Sequence, residues 1–212
     1  MITTEPAQAG TRRETLESYV RSRAVGLQKR LSAGDSSARA SLARMRRAVG
    51  ADIAVQPEAW GEFYSGFPEE LVGEGDDVGP YEYAAHIALT LFALHQQSQA
   101  QPMHVGGPSA RLGSAVRKLA TPNDAQEHEQ ATLRRFQALV TADELPEIVH
   151  HLRGIVLLLK AKSIPLDYGR LASDVASLHS PESATRVKLR WARDLYTAPR
   201  SRPTAHQPPS KN

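Results

Sequence analysis

The sequence predicts an all-α fold: about eight to nine helices in two small helical bundles, with basic faces on one side and a disordered C-terminal tail. Three observations carry this. Apolar residues recur at three-to-four spacing along most of the chain. No segment shows the strict two-residue alternation of a half-buried strand. Proline, glycine and capping residues divide the chain into helix-length pieces, with no tandem repeat that would make a solenoid. With 212 residues, 41% of them apolar, there is material for a real core.

The first helix is expected over 11–31. Thr11 is its N-cap, Glu14 its capping-box partner, Leu16, Val20 and Leu27 its inward residues and Gly34 its stop. Residues 1–10 are expected to be disordered. Asp35 caps a second helix, where Ala38, Leu42, Met45 and Val49 project within a narrow arc and Arg39, Arg44, Arg46 and Arg47 occupy the opposite one. Four arginines with no interleaved acid suit bidentate contact with phosphates, although a merely solvated face carries the same pattern.

From 51 to 80 the chain reads as loop-rich. A short helix near 57–66 directs Trp60, Phe63, Tyr64 and Phe67 inward, and GEGDDVGP forms a flexible acidic loop, mobile or facing a protein partner. A helix over 81–100 is apolar on almost every face from Ala84 to Leu94, as expected of a helix enclosed by neighbours. After Gly106-Gly107-Pro108-Ser109 a basic helix runs to Ala120, with Leu112, Val116 and Leu119 inward and Arg111, Arg117 and Lys118 outward.

Asn123 caps the next helix, to about 142, with Leu133, Phe136 and Val140 inward and Arg134 and Arg135 outward. Asp143 caps another, to about 162. Its stripe is Leu145, Ile148, Val149, Leu152, Ile155, Val156 and Leu159, and Arg153 and Lys160, seven residues apart, share a face. A short helix over 167–178 and a last one from Pro181 to Tyr196 follow, the latter with Arg186, Arg190 and Arg193 along one side. The proline-rich residues after Ala198 are too polar to pack. The expected division is 11–105 and 106–197, flanked by disordered 1–10 and 198–212.

Composition excludes several functions. Cysteine is absent, which removes disulfides, thiolate catalysis and Cys-ligated zinc. The N-terminus lacks the apolar core of a signal peptide, and the longest apolar run is far short of the ~20 residues that span a bilayer. A cytoplasmic protein without membrane contact is the expectation. Net charge is +3, but unevenly placed. Between Ala48 and Ala110 there are nine acids and no Lys or Arg, which leaves 14 acids against all 26 bases elsewhere, about +12.

Specific catalytic patterns are missing. His86 and His95, nine residues apart, fall on opposite faces of one helix and cannot share an ion. Glu147-x-x-His150 matches one element of a di-iron bundle, which needs two such elements and two further glutamates. A metallo-enzyme using Glu147, His150 and His151 is therefore a weak rival, and no metal or other cofactor is expected. Gly106-Gly107-Pro108-Ser109 lacks the lysine and preceding strand of a P-loop, although backbone amides at such a junction can hold a phosphate. There is no G-x-S-x-G elbow and no small-molecule substrate is implied. What remains is arginine-bearing faces with few exposed aromatics, which favours phosphodiester backbone over base readout.

An ordered series of blocks resembles the CasB family, the small subunit of the type I-E CRISPR surveillance complex, Cascade. The blocks are 42–50 (LARMRRAVG), 88–99 (ALTLFALHQQSQ), 104–120 (HVGGPSARLGSAVRKLA), 133–140 (LRRFQALV), 150–160 (HHLRGIVLLLK), 164–172 (IPLDYGRLA) and 187–196 (VKLRWARDLY). The likeness implies a non-catalytic, two-bundle protein held as two copies beside the backbone and large subunits. There it would bind guide RNA and both DNA strands, stabilising target-strand pairing and the displaced strand of the R-loop. By position, the implied nucleic-acid-binding residues are Arg39, Arg44, Arg46, Arg47, Arg111, Arg117, Lys118, Arg134, Arg135 and Arg153. The alternative is a helical scaffold whose basic faces meet acidic protein partners only.

Overall fold

The computed structural model describes residues 5–120 and 126–197. Among them are nine α-helices: α1 Glu5–Ser32, α2 Ser36–Arg47, α3 Pro57–Tyr64, α4 Pro80–Gln96, α5 Leu112–Ala120, α6 Gln126–Thr141, α7 Leu145–Ala161, α8 Tyr168–Ser177 and α9 Pro181–Tyr196. Short 3-10 turns lie at Ile53–Val55, Glu69–Leu71 and Pro108–Ala110. The fold is all-α, and the single β-bridge among the described residues, His104 to Leu166, extends no further. The expected Asn123 cap, residues 1–4 and the tail 198–212 lie outside the described residues.

Local chemistry sets several boundaries where expected. Asp35 Oδ1 accepts from the amides of Ser37 at 2.7 Å and Ala38 at 3.3 Å, and Gly34 takes φ +81° to end α1. The Arg30 guanidinium on Asp35, helped by Ser37, pulls that carboxyl down to about 2. Asp167 Oδ1 likewise caps α8 through the Arg170 amide at 3.0 Å.

Other boundaries differ. The first helix starts at Glu5, so Thr11 lies inside it and is not its N-cap, and residues 5–10 are helical where the sequence reading has disorder. Extending a nucleated helix costs little, and a Thr-x-x-Glu spacing also occurs inside helices. α4 stops at Gln96 rather than near 100, because the Gln96 side chain takes over backbone groups beyond it: Gln101 O at 2.9 Å and Met103 N at 2.9 Å. α5 starts at Leu112, after the 3-10 turn and an extended Arg111. α7 is preceded by Glu144 rather than Asp143 and has Pro146 in its first turn.

α4 is enclosed, as its pattern predicts: Ala84 through Ala93 are all buried, and α1, α2, α3, α7 and α8 pack around it. The core continues through Leu16, Val20, Leu42, Met45, Leu152, Leu159, Tyr168 and Trp191. α8 lies against both α1 and α4, joining elements from either side of residue 106. Trp60 and Tyr64 are not inward, at 42% and 39% exposure. In an eight-residue helix Ala59 and Phe63 take the buried positions, and the next residues fall at its edge; the Trp60 indole N–H still finds the Ile53 carbonyl at 2.7 Å.

The acidic loop is closed at its neck. Glu82 Oε2 accepts from the amides of Gly73 at 2.8 Å and Gly79 at 2.7 Å. A Cβ on Gly73 would meet the Asp77 carbonyl oxygen at 2.5 Å, so the two sides of the neck approach too closely for a side chain there.

His86, His95 and His104 are buried within this core. His95 Nδ1 lies 2.8 Å from the Tyr168 hydroxyl, and His104 Nδ1 accepts from the Tyr168 amide at 3.1 Å. Burial lowers all three pKa values from 6.5, His95 to about 4. The unfolded chain therefore binds protons first, so stability present above pH 6.5 is lost as pH falls toward 4. His95 alone accounts for on the order of 3 kcal/mol of that loss. Thermal melts should fall by roughly 5–10 °C between pH 7.5 and pH 5. A flat profile would show that these histidines are not held neutral.

Candidate nucleic-acid interface

Of the ten basic residues singled out by sequence, Arg39 and Arg46 are brought together. They stand two turns apart on one face of α2 and line a groove of about 460 Å³ closed on its other sides by α1 and the 96–102 loop. Arg47 is exposed beside them. Lys160, at the end of α7, joins the cluster: burial and then the Arg46 charge lower its pKa, while burial and then Arg47 lower that of Arg46. Among the described residues no carboxylate forms an ion pair with Arg39, Arg46, Arg47 or Lys160. Crowded cations without a counter-charge raise the local positive potential, which favours a nearby anion.

The glutamines hold this wall in place. Lys160 Nζ donates to Gln97 Oε1 at 3.1 Å, Gln99 Nε2 donates to the Lys160 carbonyl at 3.0 Å, and Ser163 Oγ donates to Gln99 Oε1 at 2.8 Å. Ser98, on the groove, sits at φ +60°, a left-handed conformation that costs a non-glycine residue some energy. The polar helix exit thus ties the end of α4 to the end of α7 and fixes where the ammonium stands.

The other candidates are placed differently. Arg44 turns inward to Glu62, with Nε at 2.9 Å from Oε1, and Glu62 also meets Arg23 at 3.6 Å, so this guanidinium joins α2 to α3 and α1. Arg117 donates to the carbonyls of Asp194 at 2.9 Å and Thr197, closing the C-terminal end of α9. Lys118, Arg134 and Arg135 are exposed and Arg111 is half-buried, on α5, α6 and the turn before α5. Arg153 is exposed on α7, but shares its pocket with Asp52, Asp76, Asp77, His150 and His179, where phosphate is less welcome.

The geometry also bears on the glycine break and on the Glu147–His151 cluster. The Gly107 amide donates to Asp167 Oδ2 at 3.0 Å, so a carboxylate of the chain itself already fills the place a phosphate would take at the glycine break. His151 lies 3.5 Å from Glu147, an i,i+4 contact, and among the described residues no three His, Asp or Glu side chains group as a metal site. No helix among the described residues is long and apolar enough to cross a membrane.

The family model of the CRISPR-associated protein Cse2 matches residues 41–196, which includes most of α2, most of the groove and every helix through α9. The chain belongs to the Cse2 family. Among solved structures, CasB from Thermobifida fusca is 32% identical, with a TM-score of 0.70 over 86% of this chain and 98% of that one. A CRISPR-associated protein of the Cse2 family from Thermus thermophilus is 26% identical, with a TM-score of 0.60 over 84% and 98%. A chain of a CRISPR RNA-guided surveillance complex shares the fold at 22% identity, with a TM-score of 0.59 over 84% and 95%. No curated protein sequence matches it. Within this Cse2-family chain, Lys160 is the cation beside the groove that sequence position did not single out for nucleic acid. The signal was its seven-residue spacing from Arg153, which could not show that the end of α2 lies alongside.

Proposed function

We propose that this Cse2-family chain is a non-catalytic, cytoplasmic subunit of a CRISPR guide-RNA surveillance complex. In this reading it sits, with a second copy of itself, beside the backbone and large subunits. It holds nucleic-acid phosphates in the groove between α1, α2 and the 96–102 loop irrespective of sequence, and so steadies target-strand pairing and the displaced strand of the R-loop. The carrying observation is that Arg39 and Arg46 line one groove with Lys160 beside Arg46, and that none of the three forms an ion pair among the described residues. Exchanging a DNA duplex for a guide–target hybrid is nearly balanced in energy, so a few backbone contacts are enough to shift it. Arg47, Lys118, Arg134 and Arg135 are exposed and extend the phosphate-facing surface, whereas Arg44 and Arg117 serve mainly to orient helices.

The test is the triple variant Arg39→Glu, Arg46→Glu, Lys160→Glu in the reconstituted complex. Assembly is expected to be unchanged while R-loop yield on matched DNA falls by roughly tenfold, about 1.4 kcal/mol. An unaltered yield removes the groove from the DNA path. A variant that fails to join the complex would instead favour a scaffold whose basic face meets acidic subunits.

A further inference from the structure

A second cation-lined pocket, of about 300 Å³, lies between α1, α8 and α9, among residues the groove does not use. Arg13, Arg170, Arg186 and Arg190 line it, with the hydroxyl-bearing Ser177 and Ser183. Two of the guanidiniums are held rigidly from behind. Buried Asp174 accepts from Arg170 Nε at 3.1 Å, from Trp191 Nε1 at 2.7 Å and from Arg190 Nη2, so both its oxygens are engaged in positioning donors.

One donor is left over. Arg190, which lines the pocket, keeps a buried Nε–H with no hydrogen-bond partner, so its guanidinium is only partly satisfied by Asp174. Arg13 and Arg186 form no ion pair among the described residues. Of the two acids at the α1 edge, Glu17 is turned onto Arg21 at 2.6 Å, leaving Glu14 at the rim.

We propose that this pocket binds a phosphate group through the guanidiniums of Arg13, Arg186 and Arg190. Donors converging from two helices, with serine hydroxyls beside them, suit a tetrahedral anion with several acceptor oxygens better than a carboxylate, which one guanidinium fork satisfies. The site is separate from the α1–α2 groove and does not depend on the reading given to it.

The full chain is titrated with inorganic phosphate, and in parallel with short oligothymidylates bearing either a terminal phosphate or a free hydroxyl. Arginine Nε–H signals are followed by proton–nitrogen correlation NMR. The Arg190 signal is expected to shift with phosphate, and Arg13→Ala with Arg186→Ala to weaken that response by about tenfold. Both residues are at least partly exposed, so their truncation spares the fold. A shift with the phosphorylated oligonucleotide alone assigns a terminal phosphate; a shift with both assigns a backbone phosphodiester. The same titration in Arg39→Glu, Arg46→Glu protein should be unchanged, which separates this site from the groove. No shift with any phosphate probe, or an equal shift with glutamate at the same ionic strength, would overturn the proposal, the latter in favour of an acidic peptide.

Discussion

Gly113→Ala should destabilise the protein by more than about 3 kcal/mol, at or beyond the upper end of ordinary overpacking. A Cβ at 113 would stand 2.1 Å from the Trp191 carbonyl oxygen, 2.8 Å from Asp194 Cβ and 2.9 Å from the Leu195 amide nitrogen. Two of these are backbone atoms of α9, which cannot rotate away as a side-chain tip can. α5 and α9 would have to separate, releasing Val187, Trp191 and Leu195 from the core and breaking the Arg117 contacts that close α9. Gly154 provides the control: it is helical, its Cβ would meet nothing within 4 Å, and Gly154→Ala should stabilise by up to about 1 kcal/mol. Denaturant titration of both variants measures this. A Gly113→Ala midpoint equal to wild type would show that α5 and α9 are not in direct backbone contact.

Asp174→Ala should cost roughly 3–5 kcal/mol, the usual loss when one member of a buried charged set is removed. The residue is 3% exposed and its carboxylate is the common acceptor for Arg170, Arg190 and the Trp191 indole. Without it, two guanidiniums face each other and a buried indole N–H has no partner, close to where α8 packs on α1 and α4. Asp174→Asn keeps the volume and one acceptor but turns an amide toward cations, so an intermediate loss is expected. Guanidinium unfolding followed by tryptophan fluorescence reads both. A loss under about 1 kcal/mol for the alanine variant would mean that water satisfies these donors in its place.

Much of this architecture is legible from local chemistry. Asp35 and Asp167 are short acceptors one residue ahead of amphipathic runs, and both cap helices, because capping needs only neighbouring amides. The continuous apolar run from Ala84 to Leu94 told correctly of enclosure. Thr11 misled because its motif is equally local but the chain upstream is able to continue the helix. Partnerships over long sequence distances leave no such trace. Arg44 and Arg46 are two residues apart on an arginine-rich face, yet one meets Glu62 and the other stands over the groove, a difference set by where α3 and α7 dock. Arg117 closing α9, Lys160 beside Arg46, and the close approach at Gly113 arise in the same way.

The salt dependence of DNA binding by the isolated protein tests the central claim most directly. Wild-type protein should bind single-stranded and duplex DNA of unrelated sequences at about micromolar affinity, falling steeply with salt. In the Arg39→Glu, Arg46→Glu, Lys160→Glu variant the slope of log affinity against log salt should be shallower by about 2, as for the loss of three phosphate contacts, with helical circular dichroism unchanged. Identical affinity and slope in the two proteins would contradict the account.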